Sequence, residues 1–278
     1  MQKPTFASQT ARSFEELPSR RKQQLMAFDR VLTIMDELRV HCPWDRKQTM
    51  DSLRHLTIEE TYELSDAILS KDLPEIKKEL GDVLLHLVFY ARIASETGDF
   101  DIQDVMHSLC EKLVSRHPHI YGDAVADTEE QVKQNWEQLK IKEGNRSVLA
   151  GVPSSLPALV KAMRVQEKAR GAGFDWEEKE QVWGKVREEM EEFQAEFSEG
   201  TAVHPDQAEA EFGDLLFSLV NYARFVDINP ETALERTNKK FITRFEYLEK
   251  RAREAGRELK DMTLAEMDVY WNEAKSLR

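Results

Sequence analysis

Two short stretches carry the acids of this chain that are best placed for chemistry. Glu211-Phe212-Gly213-Asp214 runs straight into the apolar segment Leu215–Val220, and Glu79-Leu80-Gly81-Asp82 runs into Val83–Val88. The two stretches are copies, since nine of the fourteen aligned positions in Glu79–Arg92 and Glu211–Arg224 are identical. Each is preceded by a second acid run, Glu188, Glu189, Glu191 and Glu192 in one case and Glu59, Glu60 and Glu63 in the other. Residues three and four apart share a helix face. Glu188 or Glu189 therefore points the same way as Glu192, and Glu211 the same way as Asp214 on the next helix. Antiparallel packing of two such helices would converge their carboxylates, which cannot lie together without cations or shifted pKa values. Oxygen-only ligands favour Mg²⁺, Mn²⁺ or Ca²⁺, and Mg²⁺ is usually held by a few carboxylates together with substrate phosphates. A single Glu-Glu-x-x-Glu run is most often a solvated helix face. Acids that recur beside the most apolar helix of each half are a different matter, because solvated acids have no reason to be there. A diiron bundle would need Glu-x-x-His, and His86 stands at the wrong spacing.

Cations and aromatics recur as well. Lys112 and Arg116 follow the first apolar helix and Lys240 and Arg244 the second, while Trp136 and Lys140 are matched by Trp271 and Lys275. A lysine and an arginine on one face can clamp a polyphosphate, and a tryptophan can stack on a base. The set describes a nucleotide site completed by metal.

The elements that must position these residues read as helices throughout. Leu25, Phe28, Val31, Leu32, Met35 and Leu38 recur at helical spacing and end at His41-Cys42-Pro43-Trp44-Asp45. Thr57, with Glu60 three residues on, reads as the N-cap of a helix running to about Leu69. Pro74 suits the first turn of the helix that carries Glu79 and Asp82, and Gly98 closes it. Val83–Ala94 is apolar nearly all round, so it must be buried within its domain or across a subunit interface. Ile102–Arg116 and Val132–Glu143 complete this half, with a polar loop at His117-Pro118-His119 between them. The second half repeats the order: Val160–Lys168, Gln181–Phe197, a turn at Ser198–Pro205, the buried helix Gln207–Val226, a helix starting at Asn229-Pro230, and Leu264–Leu277. No segment alternates with period two, which predicts an all-α fold of two tandem helical bundle repeats with four to five helices each. The domain reading is a flexible tail over residues 1–24, a first helical domain at 25–150, a linker rich in turn formers at 151–159, and a second, catalytic helical domain at 160–278.

The chain of 278 residues carries a net charge of −13 and two cysteines. That balance speaks against a nucleic-acid partner, which requires basic stripes. Cys42 and Cys110 form no Cys-x-x-Cys pair or disulfide framework, the first twenty residues lack a signal peptide's apolar region, and no apolar run is long enough to span a bilayer. The expectation is a cytoplasmic protein with no membrane partner.

Taken together, Glu-Glu-x-x-Glu, then Glu-x-x-Asp, then Lys-Phe-x-x-Arg-Phe at Lys240–Phe245 resemble the all-α nucleoside triphosphate pyrophosphohydrolases of the MazG type. The resemblance covers nearly everything from Phe28 to Lys275, in tandem. It implies hydrolysis of a nucleoside triphosphate between the α and β phosphates, giving monophosphate and pyrophosphate, with Mg²⁺ required or replaced by Mn²⁺, in a homodimer. It also implies that Glu189, Glu192, Glu211 and Asp214 bind metal, and that Lys185, Lys240, Arg244, Trp271 and Lys275 contact the nucleotide. Lys240 and Arg244 would stabilise the leaving group, and Glu188 is a candidate general base. Glu60, Glu63, Glu79 and Asp82 form a second metal set in the first half. There Leu56 stands where the second half has Lys185, so the first half is expected to lack the cation one turn before its acids, to pack Leu56 into the core or a subunit interface, and to serve mainly dimerisation or regulation. Two other readings are a narrower dUTP or phosphoribosyl-ATP pyrophosphohydrolase and a non-catalytic, metal-binding dimerisation or regulatory module.

Overall fold

The computed structural model describes residues 13–126, 128, 131–132, 135–136, 147–198 and 200–277. Its described residues are helical apart from one two-stranded hairpin, so the all-α expectation holds. The chain divides into two compact units, Met1–Trp136 and Glu137–Arg278. The division precedes the expected linker at 151–159. That stretch begins at the end of a 3-10 turn, Val148–Gly151, which packs on the next helix through a hydrogen bond from Lys168 Nζ to the Val148 carbonyl at 3.3 Å.

The first unit contains α1 (Ser19–His41), α2 (Met50–Ser70), α3 (Leu73–Ser95), α4 (Ile102–Ser115) and the single turn α5 (Pro118–Tyr121). Helix α1 starts inside the stretch 1–24 expected to be a tail, where Lys22 Nζ donates to the Glu15 carbonyl at 2.9 Å. It ends at His41, just before Pro43, as its sequence predicts. Thr57 is not an N-cap. Helix α2 begins seven residues earlier at Met50, with Thr49 accepting from the Ser52 amide at 3.1 Å. Its first two turns are rich in polar residues and hide the start from a pattern search. Thr57 lies inside the helix, its hydroxyl 2.7 Å from His86 Nδ1 and 2.6 Å from the Tyr90 hydroxyl. Lys71, in the left-handed region at φ 57°, ends α2, and the Asp72 side chain caps α3 by accepting from the Glu75 amide. Two residues thus suffice to turn α2 back on α3, and the two helices pack along their length. The core gathers Met35, Leu53, Val88 and Phe89, with Phe28, Val31, Leu32, Leu56, Tyr90 and Ile93 against it. Arg39 clamps Glu96 with two hydrogen bonds of 2.7 and 2.9 Å, and Arg92 pairs with Asp36 at 2.6 Å, tying α1 to the end of α3. The expected polar loop at His117–His119 includes α5, and most of the helix expected at Val132–Glu143, with Lys140, lies outside the described residues.

The second unit contains α6 (Ala158–Gly171), α7 (Lys179–Ala195), α8 (Pro205–Phe225), α9 (Pro230–Glu254) and α10 (Leu264–Ser276). Between α7 and α8 the expected turn holds the hairpin, β1 (Phe197–Ser198) against β2 (Thr201–Ala202), antiparallel, with Gly200 at φ 78° in the bend. Two residues per strand are too few to show as period-two alternation. Helices α7 and α8 form the main packing pair of this unit, with Val182, Val186, Ala208 and Val220 buried. The Tyr-Ala-Arg shared by both copies is used twice: Tyr222 lies on Trp183 with ring centres 4.7 Å apart, and Arg224 holds Asp175 from both of its terminal nitrogens, one at 2.9 Å. Asn229 caps α9 as expected.

Helices α3 and α8 are not covered on all sides by their own units. Leu80, Leu84, Leu85 and Leu87 on α3 are exposed, as are Phe212, Leu216, Phe217 and Leu219 on α8. No helix among the described residues is long and apolar enough to cross a membrane.

Candidate functional site

The helix pairs bring the acids together much as their spacing predicts. Glu189 and Glu192 of α7 meet Glu211 of α8, with one carboxylate oxygen from each lying within 4.8 Å of the others. In the first unit Glu60 of α2 meets Glu79 and Asp82 of α3 in the same way. The two trios differ in one member. Asp214 lies outside the second trio but close enough to raise the Glu211 pKa, and Glu63 stands in the same relation to Glu60. The sets of four expected from the sequence are thus trios with a fourth acid beside them.

The electrostatics are those of a crowded anion site. Burial pushes the Glu211 carboxyl up, and Glu192, Asp214, Glu189 and Glu196 push it further. Glu60 is raised by burial first and then by Asp82, Glu63, Glu79 and Glu59. Glu79 is 1% exposed, and its Oε2 has no hydrogen-bond partner among the described residues. A buried carboxylate oxygen left in that state is costly, and a cation would relieve it. Oxygen-only donors, mutual repulsion and an orphaned oxygen all fit a hard divalent cation.

Each cluster already has one lysine on it. Lys185 Nζ lies 2.6 Å from Glu189 Oε1 and 2.9 Å from Glu188 Oε1, and these carboxylates raise its pKa. Glu188 itself is exposed and outside the trio. In the first unit Leu56 indeed packs against the core, but a cation is present after all. Lys78 of α3 donates to Glu79 Oε1 at 2.7 Å and to Glu75 Oε1 at 2.8 Å. Lys78 has no counterpart in the second unit, where Ala210 precedes Glu211 as Lys78 precedes Glu79, and that mismatch is its signal in the sequence.

The expected nucleotide contacts form a second, partly assembled group. Arg244 of α9 sits over the Trp271 ring of α10 at 5.9 Å, and Phe241 lies 5.0 Å from the same ring. Arg116 sits over Trp136 at 5.5 Å in the first unit, so this stack recurs too. Lys275 donates to Asn272 of its own helix at 3.0 Å, and Lys240 is exposed. Neither Lys240 nor Arg244 is ion-paired with the acid trio among the described residues.

A family model described as the MazG nucleotide pyrophosphohydrolase domain matches residues 48–121, the span that holds the first acid trio. A protein from Thermotoga maritima named nucleoside triphosphate pyrophosphohydrolase/pyrophosphatase MazG is 42% identical over 259 residues, covering 91% of this chain and 98% of that protein. This chain belongs to the MazG family. A MazG-family relative from Escherichia coli (strain K12), named nucleoside triphosphate pyrophosphohydrolase, is 40% identical over 256 residues, covering 89% of this chain and 96% of the relative. The uncharacterized protein YabN of Bacillus subtilis (strain 168) is 48% identical over 266 residues, which is 93% of this chain but 54% of that protein. MazG-family membership agrees with the all-α fold and with acids gathered from paired helices.

Proposed function

We propose that this chain hydrolyses nucleoside triphosphates to monophosphate and pyrophosphate with a divalent cation, Mg²⁺ or Mn²⁺, held by the second unit. The observation that carries the reading is the trio Glu189, Glu192 and Glu211, with Asp214 beside it, on two packed helices in a chain whose full-length relatives are named for this activity. A cation there would neutralise the triphosphate and lower the pKa of a water for in-line attack at the α phosphorus. The chain's own residues do the rest. The acid trio fixes where the triphosphate is centred. Lys185, whose ammonium lies on Glu189 Oε1, would contact a phosphate held over that carboxylate. Lys240 and Arg244 would offset charge on departing pyrophosphate, and the Arg244–Trp271 stack offers an aromatic face to a base. Lys275 on the same helix as Trp271 would add a further phosphate contact. Glu188, exposed and hydrogen-bonded to Lys185, suits an acid that orients this lysine better than one that binds metal or takes the proton of the attacking water.

The enzyme is proposed to act as a cytoplasmic homodimer, with Leu84 and Leu87 of α3 and Leu216 and Leu219 of α8 in the interface. Exposed leucines in that number on the two most apolar helices call for a cover, and a second copy supplies the same surface. Product analysis over a panel of ribo- and deoxyribonucleoside triphosphates tests the reaction. Monophosphate and pyrophosphate are expected, whereas diphosphate and orthophosphate would place the cut at the wrong bond and overturn the reading.

A further inference from the structure

The lysines on the two acid clusters come from opposite helices. In the second unit Lys185 belongs to α7 and the residue before Glu211 on α8 is Ala210. In the first unit the place of Lys185 on α2 is taken by Leu56, half-buried against the core, and the residue before Glu79 on α3 is Lys78. Both ammonium groups end on an oxygen of a buried glutamate, at 2.6 Å from Glu189 and 2.7 Å from Glu79. A lysine on one helix in one unit and on the partner helix in the other, with the same kind of carboxylate as its target, gives each cluster one positive charge.

We propose that Lys185 is the resident counter-ion of the second acid cluster, holding Glu189 Oε1 until a divalent cation takes that oxygen, and that this exchange makes metal binding and triphosphate binding depend on one another. The inference rests on the metal site proposed above. An oxygen engaged by an ammonium is a poorer ligand, and an ammonium in place repels a second cation. Its carboxylate partners raise the Lys185 pKa, so the group stays charged at any pH where the enzyme works. What changes is therefore its position. Lys185 is 36% exposed on a flexible four-carbon stem, free to turn outward. Without nucleotide the freed ammonium finds only water, whereas with a triphosphate over the cluster it finds an oxyanion. Metal alone must evict Lys185 at full cost, and metal with triphosphate offsets that cost.

Mn²⁺ binding to the full chain, measured by calorimetry and electron paramagnetic resonance with and without an unhydrolysable α,β-imido triphosphate, tests this. Lys185→Met is expected to bind Mn²⁺ alone about tenfold more tightly than the unmodified protein, the equivalent of one charge-assisted hydrogen bond. The enhancement of Mn²⁺ affinity by the analogue should shrink correspondingly. The gain should disappear when Glu211→Gln is added, which assigns it to the second cluster. Lys185→Leu with Ala210→Lys rebuilds in the second unit the arrangement that the first unit already tolerates, and it should return Mn²⁺ affinity towards that of the unmodified protein. Unchanged or weaker Mn²⁺ binding in Lys185→Met, or a double variant that binds Mn²⁺ as tightly as Lys185→Leu, would overturn the counter-ion role while leaving the metal site standing. Absence of any Mn²⁺ binding that responds to Glu211→Gln would instead remove the metal site itself.

Discussion

Thr57→Val separates two accounts of one residue and has a magnitude that follows from the contacts. As an N-cap, Thr57 would lose about 1 kcal/mol on replacement. In the structure its hydroxyl serves His86 Nδ1 at 2.7 Å and the Tyr90 hydroxyl at 2.6 Å, and it donates back to the Leu53 carbonyl at 3.0 Å. His86 is buried, and its pKa is pushed down by that burial against the pull of Asp82, so the neutral ring depends on neutral partners such as Thr57. Valine keeps the shape and leaves two ring and phenol groups unsatisfied, at about 1–3 kcal/mol each. The added methyl returns about 0.8 kcal/mol. The net expectation is a loss of about 1–5 kcal/mol, with Thr57→Ser retaining most of the stability. Urea denaturation followed by circular dichroism at unchanged m-value measures it. The second unit makes the comparison sharper, because Val186 and Ser218 stand at the matching positions and Val186 is buried without strain on a histidine. A Thr57→Val loss below about 0.5 kcal/mol, the range of an ordinary surface change, would refute the hydrogen-bonded hub.

Glu192→Gln keeps the helix but removes one trio charge, and should reduce turnover on the order of 100-fold with the circular dichroism unchanged; near-full activity would make Glu192 a surface acid. Glu211→Gln should cost far more turnover at saturating nucleotide and metal than Glu79→Gln, and equal losses at constant oligomeric state would mean that both units catalyse. The carboxyls of Glu60 and Glu211 are raised in the folded state, so their contribution to metal-free stability is intact below the ordinary glutamate value near 4.5 and is lost as pH rises through their folded values. Stabilisation by added Mg²⁺ should therefore grow with pH across that window in thermal melts against an EDTA control, and a pH-independent difference would contradict it.

Much of the site was legible because helical spacing is a strong constraint. Glu189 with Glu192, and Glu79 with Asp82, are placed on one face by three-residue separation alone, and two packed helices leave few ways for Glu211 and Glu60 not to join them. Which acid completes each trio was not legible, since helical spacing allows Glu63 and Asp214 as readily as Asp82 and Glu192. The start of α2 was hidden because Met50–His55 lacks the apolar periodicity that betrays a helix, while Thr57 and Glu60 imitate a capping box. Lys78 is not legible from position-by-position matching for a different reason: a cation can reach a glutamate of the cluster from either helix, so equivalent charges need not stand at equivalent positions. Recurrence in the sequence marks Arg244 and Trp271 but not that they stack on one another, which depends on how α9 and α10 cross.

The connection between α7 and α8 differs from its counterpart in the first unit in length and in how its residues are tied. Lys71 and Asp72 turn α2 into α3 with both residues committed to capping, which leaves that junction almost no slack. Glu196–His204 spans the same junction in the second unit with a hairpin bent at Gly200 and latched to the helix end by the Val203 amide on the Glu196 carbonyl at 2.8 Å. Glu192 lies one turn before this longer bridge, whereas the first trio draws Glu60 from well inside α2. The second cluster is thus mounted beside a nine-residue bridge and the first behind a two-residue corner, so a change of length between the helices meets spare chain in the second unit and two capping residues in the first.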